Sequence, residues 1–253
     1  MALLFESKTV IVTGIAGGIG LACAQAFLES GANVMASDII HAPESLTTRS
    51  HCRFIQADLR NERAIQGLIE RTREVFGSID VLINNAAVIP PMSAVHDTTT
   101  EDLDQILSVN IRAPFLCSKY AYPYLKQSKG TIINISSMSG VTGESNHAAY
   151  SASKGGLNAL TKAMAIDYGK EGIRCNAVCP SSVLTESVDQ MIAASSNPEE
   201  IIEYRKKINH LGYTASPSEI TSVVLFLASS EASFITGAII PVSGGSECGY
   251  GIK

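Results

Sequence analysis

Thr9-Val10-Ile11-Val12-Thr13 is a β-branched run with the composition of a strand, and it passes directly into Gly14-Ile15-Ala16-Gly17-Gly18-Ile19-Gly20. Residues 21–29 then carry an apolar pattern of helical length. Glycines at such a joint permit a tight turn and let another group come close to the backbone. A parallel pair of strands needs a crossover of this kind. The same alternation recurs along the chain. Residues 33–37, 53–56, 81–84, 131–135, 174–178 and 238–242 read as further strands, with amphipathic helical segments between them. The pattern predicts a doubly wound α/β fold, a seven-stranded parallel sheet with helices on both faces. Ser216-Pro217-x-Glu219 supplies a cap, a proline at the first helical position and an acidic first turn for a helix reaching about Ala228.

The 253 residues suffice for one such unit, and a single domain over 1–253 is expected. Residues 181–215 are more polar and irregular and read as a lid over a site. Net charge is −5 with scattered basic residues, so nucleic acid is not an expected partner. No apolar run is long enough to cross a bilayer, and the start lacks a basic n-region and a cleavage site; a cytoplasmic protein without a membrane partner is expected. The six cysteines form no CxxC pair and have no histidine at zinc spacing, so buried reduced thiols are expected and no metal site is signalled.

At the glycine turn, the free N–H groups and the dipole of a helix N-terminus favour an anion, as the pyrophosphate of a dinucleotide would supply. About 20 residues downstream, Asp38 ends the second strand, where a carboxylate can accept hydrogen bonds from ribose hydroxyls and repel a 2′-phosphate. Neither Arg nor Lys occurs among Ile15–Gly18 or at Ile39 and Ile40, so NAD is expected over NADP. Asp58, after the third strand, either meets the adenine edge or caps the helix beginning near Asn61.

Tyr150-Ser151-Ala152-Ser153-Lys154 puts a phenol and an ammonium one helical turn apart on one face. A nearby cation stabilises phenolate, so Tyr150 is expected to ionise below about 10 and to serve as a base toward an alcohol. Taken alone, this spacing is common on helix surfaces. Ser137 follows a strand at the carboxyl end of the sheet, where open α/β folds bind ligands, and its hydroxyl can orient a substrate oxygen. Side chains alternate along extended chain, so Ser136 should face away.

With Asn84-Asn85-Ala86 added to these motifs, the sequence resembles the short-chain dehydrogenase/reductase family over essentially its whole length. The resemblance implies a Rossmann fold and a homotetramer. It implies a catalytic tetrad of Asn110, Ser137, Tyr150 and Lys154, the serine thirteen positions before the tyrosine. It further implies NAD contacts at Gly14, Gly17, Gly18, Ile19, Gly20, Asp38, Asp58, Leu59, Asn85, Ala86, Tyr150, Lys154, Pro180, Val183 and Thr185. Lys154 would also grip the nicotinamide ribose, and the Asn110 carbonyl would hold a water that links Lys154 to solvent. Pro114, four residues on, has no N–H to donate to that carbonyl, which leaves its oxygen free. Three positions depart from the family pattern: Ala87 and Ser181 stand where glycine is usual, the latter after Pro180, and Ser243 where aspartate is. In such families the tail, here 246–253, often lies near a neighbouring subunit.

Glu144, Asn146 and His147 precede Tyr150, a polar set suited to the hydroxyls of a sugar, polyol or small hydroxy compound, or else a solvated loop. His147 as a second acid/base is superfluous if the tetrad acts. His41, His51, His96 and His210 read as loop or surface residues. The expected activity is hydride transfer between a secondary alcohol and NAD. Two rivals are an NADPH-dependent carbonyl or 3-oxoacyl carrier-protein reductase, which Asp38 opposes, and a non-catalytic NAD-binding regulator, which the full set of catalytic residue types opposes.

Overall fold

The computed structural model describes residues 4–248. In chain order the first half runs β1 (Thr9–Thr13), α1 (Gly18–Glu29), β2 (Asn33–Asp38), α2 (Glu44–Thr47), β3 (Cys52–Gln56), α3 (Glu62–Phe76) and β4 (Val81–Asn84). Then come α4 (Thr100–Leu107), a π turn at Ser108–Arg112, α5 (Ala113–Ser128), β5 (Thr131–Ile135), α6 (Ser139–Thr142) and α7 (Ala148–Tyr168). The chain ends through β6 (Arg174–Pro180), α8 (Glu186–Ala193), α9 (Pro198–Lys207), α10 (Pro217–Ala228) and β7 (Ile239–Val242).

Among the described residues the seven strands form one parallel sheet in the order β3-β2-β1-β4-β5-β6-β7. Alternation along each strand sorts the apolar side chains into two cores. Val10, Val12, Val34 and Ala36 pack with Phe27 of α1 and with Ile220, Val224 and Leu227 of α10. Ile11, Met35 and Ile132 point the other way, onto Ile65 and Leu68 of α3, Leu116 of α5 and Met164 of α7. The order reverses between β1 and β4, which opens a crevice beyond their carboxyl ends, the place where such sheets bind ligands.

A buried polar ladder fixes the helix that carries the tyrosine. Asn84 and Asn134 are paired across β4 and β5, and Asn84 Nδ2 donates to Asn134 Oδ1 at 2.8 Å. Asn134 Nδ2 in turn donates to Thr161 Oγ1 of α7 at 2.8 Å. Each buried amide is thereby satisfied, which ties α7 to the sheet at one register.

β6 runs two residues beyond the expected end, because Cys179 and Pro180 pair with Pro241 and Val242 of β7. Proline lacks a donor, but the Pro180 carbonyl still accepts from Met138 N at 2.9 Å. α10 opens with the expected capping box of Ser216 and Glu219. Segment 181–215 is less irregular than expected, holding α8 and α9, and its ends meet where Leu184 N donates to Ala215 O at 2.7 Å. Five cysteines are buried, but Cys248 is exposed because it follows the last strand and no core covers it. The expected tail at 249–253 lies outside the described residues.

Candidate active site

Two backbone contacts shape the glycine turn. Gly14 has φ +73°, and a Cβ there would stand 2.7 Å from Ala86 Cα. A Cβ at Gly20 would stand 2.0 Å from the Gly14 carbonyl oxygen. The Asn85 amide donates to Thr13 O at 2.9 Å and to Gly14 O at 2.8 Å, while Thr13 Oγ1 accepts from Asn85 N and Ala86 N. The Asn85 side chain, expected against the cofactor, is therefore engaged in bracing the turn. Gly17 differs, since a Cβ there would meet nothing within 4 Å and no side chain caps α1. The first amides of α1 are thus left without a side-chain cap, with the positive end of the helix dipole behind them.

Asp38 is locked at the rim of this space. Its Oδ2 accepts from Ala16 N at 2.8 Å and its Oδ1 from Ile39 N at 2.7 Å. Beside it the buried Ser37 hydroxyl has no partner within the protein. The Thr185 methyl lies 3.0 Å from where a Gly18 Cβ would be, so the start of α8 closes over the turn. Thr185 also caps α8 by accepting from Val188 N. Ile19 and Leu59 turn their side chains into the two cores, which leaves their backbones for any ligand contact. Uncapped amides, an open glycine and a fixed carboxylate at this spacing fit a dinucleotide.

Asp58 does not cap α3, which corrects one of its two expected roles. Asn61 is the cap, its Oδ1 accepting from Arg63 N at 3.0 Å. The Asp58 carboxylate is held by the Arg60 guanidinium at 2.7 Å, which keeps its carboxyl below the usual range. A three-residue offset separates the two acidic or amide positions, and only Asn61 is close enough to the free amides of the first turn.

Tyr150 and Lys154 are both buried in the first turns of α7. Lys154 Nζ donates to Ile135 O at 2.8 Å and lies 5.7 Å from the centre of the Tyr150 ring. Ser136 faces the other way, its hydroxyl donating to Lys154 O at 3.2 Å, and Ser137 faces Tyr150. Gly140 brings this segment onto α7, because a Cβ there would stand 2.5 Å from the Lys154 carbonyl carbon. Its carbonyl accepts from Asn158 Nδ2 at 3.1 Å.

Burial pushes the Tyr150 phenol up to about 12; the Ser137 hydroxyl pulls against this and the Glu144 charge adds to it. Burial also brings the Lys154 ammonium down to about 8. The expected depression of Tyr150 below about 10 is therefore not produced by protein groups alone. Desolvation, invisible to a spacing argument, outweighs the cation one turn away.

Asn110 is wholly buried in the π turn. Its Oδ1 accepts from Val88 N at 2.8 Å, and its Nδ2 donates to Val88 O and to Ser153 Oγ, both at 3.0 Å. Ser153 Oγ then donates to Tyr150 O at 2.7 Å. The side chain thus joins the segment after β4 to the turn that carries Tyr150, which leaves only its backbone for other duties. In the π turn Ala113 N donates to Ser108 O, five residues back. The wider register shifts the amides around Asn110, and Pro114 withholds another.

Glu144 and His147 come together beside Tyr150. Glu144 Oε2 lies 3.3 Å from His147 Nδ1, and the His147 ring centre is 5.7 Å from that of Tyr150. Neither buried ring nitrogen of His147 makes a hydrogen bond. Asn146 is exposed at φ 56°, and its carbonyl accepts from Ser93 N at 2.6 Å. The other four histidines are exposed.

The departures from the family pattern have local compensations. Ala87 is not at positive φ, so a glycine is not required there. Ser181 Oγ donates to Ser243 O at 2.9 Å, which links two of the departing positions to each other. The Ser243 hydroxyl donates to the Glu247 carboxylate, which supplies a negative charge where the family has aspartate. Sequence reasoning missed Glu247, Ser153 and Ser139. The i+4 spacing from Ser243 and the Ser137-x-Ser139 alternation were the available signals.

Residues 14–247 match the family model described as "Enoyl-(Acyl carrier protein) reductase". The L-fucose dehydrogenase of Mus musculus is 38% identical over 98% of this chain and 92% of its own length. The meso-2,3-butanediol dehydrogenase of Serratia marcescens is 37% identical over 98% and 97%. The chain belongs to the short-chain dehydrogenase/reductase family. Among solved structures of this family, the aldohexose dehydrogenase of Thermoplasma acidophilum superimposes with a TM-score of 0.90 at 32% identity, covering 98% of this chain and 97% of that one. This family member is an oxidoreductase that acts on CH–OH groups with a nicotinamide cofactor. Among the described residues, no helix is long and apolar enough to cross a membrane.

Proposed function

We propose that this short-chain dehydrogenase oxidises a secondary alcohol with NAD, with Tyr150 as the general base, and that its substrate is a sugar, polyol or small hydroxy compound. The observation that carries the reading is the convergence of Ser137, Tyr150 and Lys154 at the carboxyl end of β5, in the same sheet whose β1 and β2 end at the glycine turn and at the fixed Asp38. The polyol preference is supported by relatives that are fucose, butanediol and aldohexose dehydrogenases.

NAD, when bound, would supply the hydride acceptor and a positive charge that favours phenolate. Tyr150 takes the alcohol proton, and Ser137 holds the alcohol oxygen at the carboxyl end of β5. Lys154, fixed by Ile135 O, keeps its remaining donors for the ribose and the phenol. The Asn110 carbonyl holds a water on the path from Lys154 to solvent. The uncapped amides of α1 would hold the pyrophosphate, Asp38 the adenosine ribose, and Val183 and Thr185 the nicotinamide half. Asp58 meets the adenine edge with its Arg60 partner.

Glu144 and Asn146, both exposed on the approach to Tyr150, receive the other hydroxyls of the substrate, with the His147 ring packed behind them. Segment 181–215 is the lid of a single catalytic domain. The exposed Phe115, Ile166, Phe226 and Phe234 support a tetramer built on α5, α7 and the α10–β7 region. The protein works in the cytoplasm without a metal, membrane or nucleic-acid partner. An NAD- and NADP-reduction screen over sugars, polyols, hydroxy acids and secondary alcohols tests this. NADH formation from a polyol or sugar is expected. Preference for NADP, or binding of NAD with no turnover of any compound, overturns it.

A further inference from the structure

The Ser137 hydroxyl has one proton, and two residues beyond the catalytic set determine its direction. A carboxylate only accepts, so the Ser139 hydroxyl, 2.5 Å from Glu144 Oε2, donates to it. With its only proton committed, Ser139 Oγ meets Ser137 Oγ, 3.1 Å away, as an acceptor. The Ser139 backbone N–H also donates to Ser137 Oγ at 3.1 Å. Ser137 therefore aims its proton along the chain toward Glu144 and turns a lone pair to Tyr150.

We propose that Ser139 and Glu144 are positioning residues that hold the Ser137 proton away from Tyr150 and so keep the phenol in its acid form until that chain is broken. The inference rests on the proposed pairing of Ser137 and Tyr150 and adds the device that governs it. Hydrogen bonds that all run toward Glu144 also resemble a proton wire. A phenol and a carboxyl differ by about six units in reference acidity, however, so a phenol proton does not settle on a carboxylate. Orientation, not proton release, is what the chain accomplishes.

The electrostatic setting agrees. The titratable and charged groups facing this corner are Glu144 and His147 from the segment ahead of α7, Lys154 from α7, and Cys179 of β6 behind Lys154. Glu144 opposes phenolate by its charge, whereas a hydroxyl donated by Ser137 favours it. Breaking the chain at either residue removes a restraint on Ser137. Breaking it at Glu144 removes the charge as well.

The test follows Tyr150 ionisation by the tyrosinate ultraviolet difference spectrum, each protein being read against the same background carrying Tyr150→Phe. The pH profile of kcat/KM for alcohol oxidation is measured in parallel. Ser139→Ala and Glu144→Gln should strengthen Tyr150 as an acid by about tenfold, the scale of a hydrogen bond to a charged group. The rising limb of the pH profile should move to lower pH with it. Ser139→Thr, which restores the hydroxyl, should behave as the parent. A parental midpoint in Ser139→Ala overturns the proposal, as does a shift in Ser139→Thr equal to that in Ser139→Ala. Glu144→Gln keeps an acceptor for Ser139 and removes the charge, so it reads the charge alone, and Ser139→Gly reports the broken chain if Ser139→Ala does not fold. Absence of turnover on every alcohol would remove the functional reading, and the spectrum would still judge this one.

Discussion

At the end of the site proposed for the cofactor the chain is held by its backbone: glycines at van der Waals limits, uncapped helix amides, and Asn85 and Asp38 hydrogen-bonded to main chain. At the substrate end the holding is done by side chains, a run of hydroxyls, a carboxylate and an imidazole that follow one another around Tyr150. The difference teaches where each end can tolerate change. Backbone geometry answers to the volume of a residue, whereas a hydroxyl chain answers to the direction of a proton.

The largest effect should come from the substrate end. Tyr150→Phe removes the proton acceptor without altering packing, and turnover should fall by about a thousandfold or more. NADH binding, followed by its fluorescence, should persist. Loss of both together would erase the distinction between the two ends.

Next comes a pair of alanines at the glycine turn. Gly20→Ala forces a Cβ into the Gly14 carbonyl and the Asn85 amide, and thermal denaturation should reveal destabilisation of about 3 kcal/mol. Gly17 is extended, at φ −176°, and has free space, so Gly17→Ala should change stability by less than about 0.5 kcal/mol. Its NADH affinity should nevertheless drop about tenfold, because the methyl stands where the pyrophosphate approaches the helix amides. Equal losses of stability in both would show that Gly17 is structural as well.

The smallest effect belongs to Asp38. Asp38→Ala should narrow the preference for NAD over NADP by about tenfold in paired titrations, since like charges at contact repel strongly. A modest fall in melting temperature should accompany it, as Ala16 N and Ile39 N lose their acceptor. An unchanged cofactor ratio would place the selectivity elsewhere.

The backbone-held end was legible in the sequence because its constraints appear as residue types. Only glycine fits at 14 and 20, and strand, turn and helix follow in a fixed order around them. That helices cover both faces of the sheet was legible as well, from short β-branched runs alternating with amphipathic segments of helical length. The side-chain end was only partly so. Ser137, Tyr150 and Lys154 stand out by spacing, but serine is common, and nothing in the order Ser137-Met138-Ser139 says that one hydroxyl donates to the next. Asp58 was a plausible cap on composition, and three-dimensional reach gave that role to Asn61 instead. The acidity of Tyr150 depended on burial, which spacing does not report.

Gly140 sets a reference surface for the whole site. Its bare Cα rests on the main chain of Lys154, so the distance between the segment after β5 and the catalytic helix is fixed by two backbones in contact. Residues 141–147 begin beyond that stop. They can change what is presented to a substrate while the phenol and the ammonium stay where they are. On the proposed function, substrate choice and reaction chemistry would be separated at one point of touch, much as a jig lets the tool be exchanged while the workpiece keeps its place.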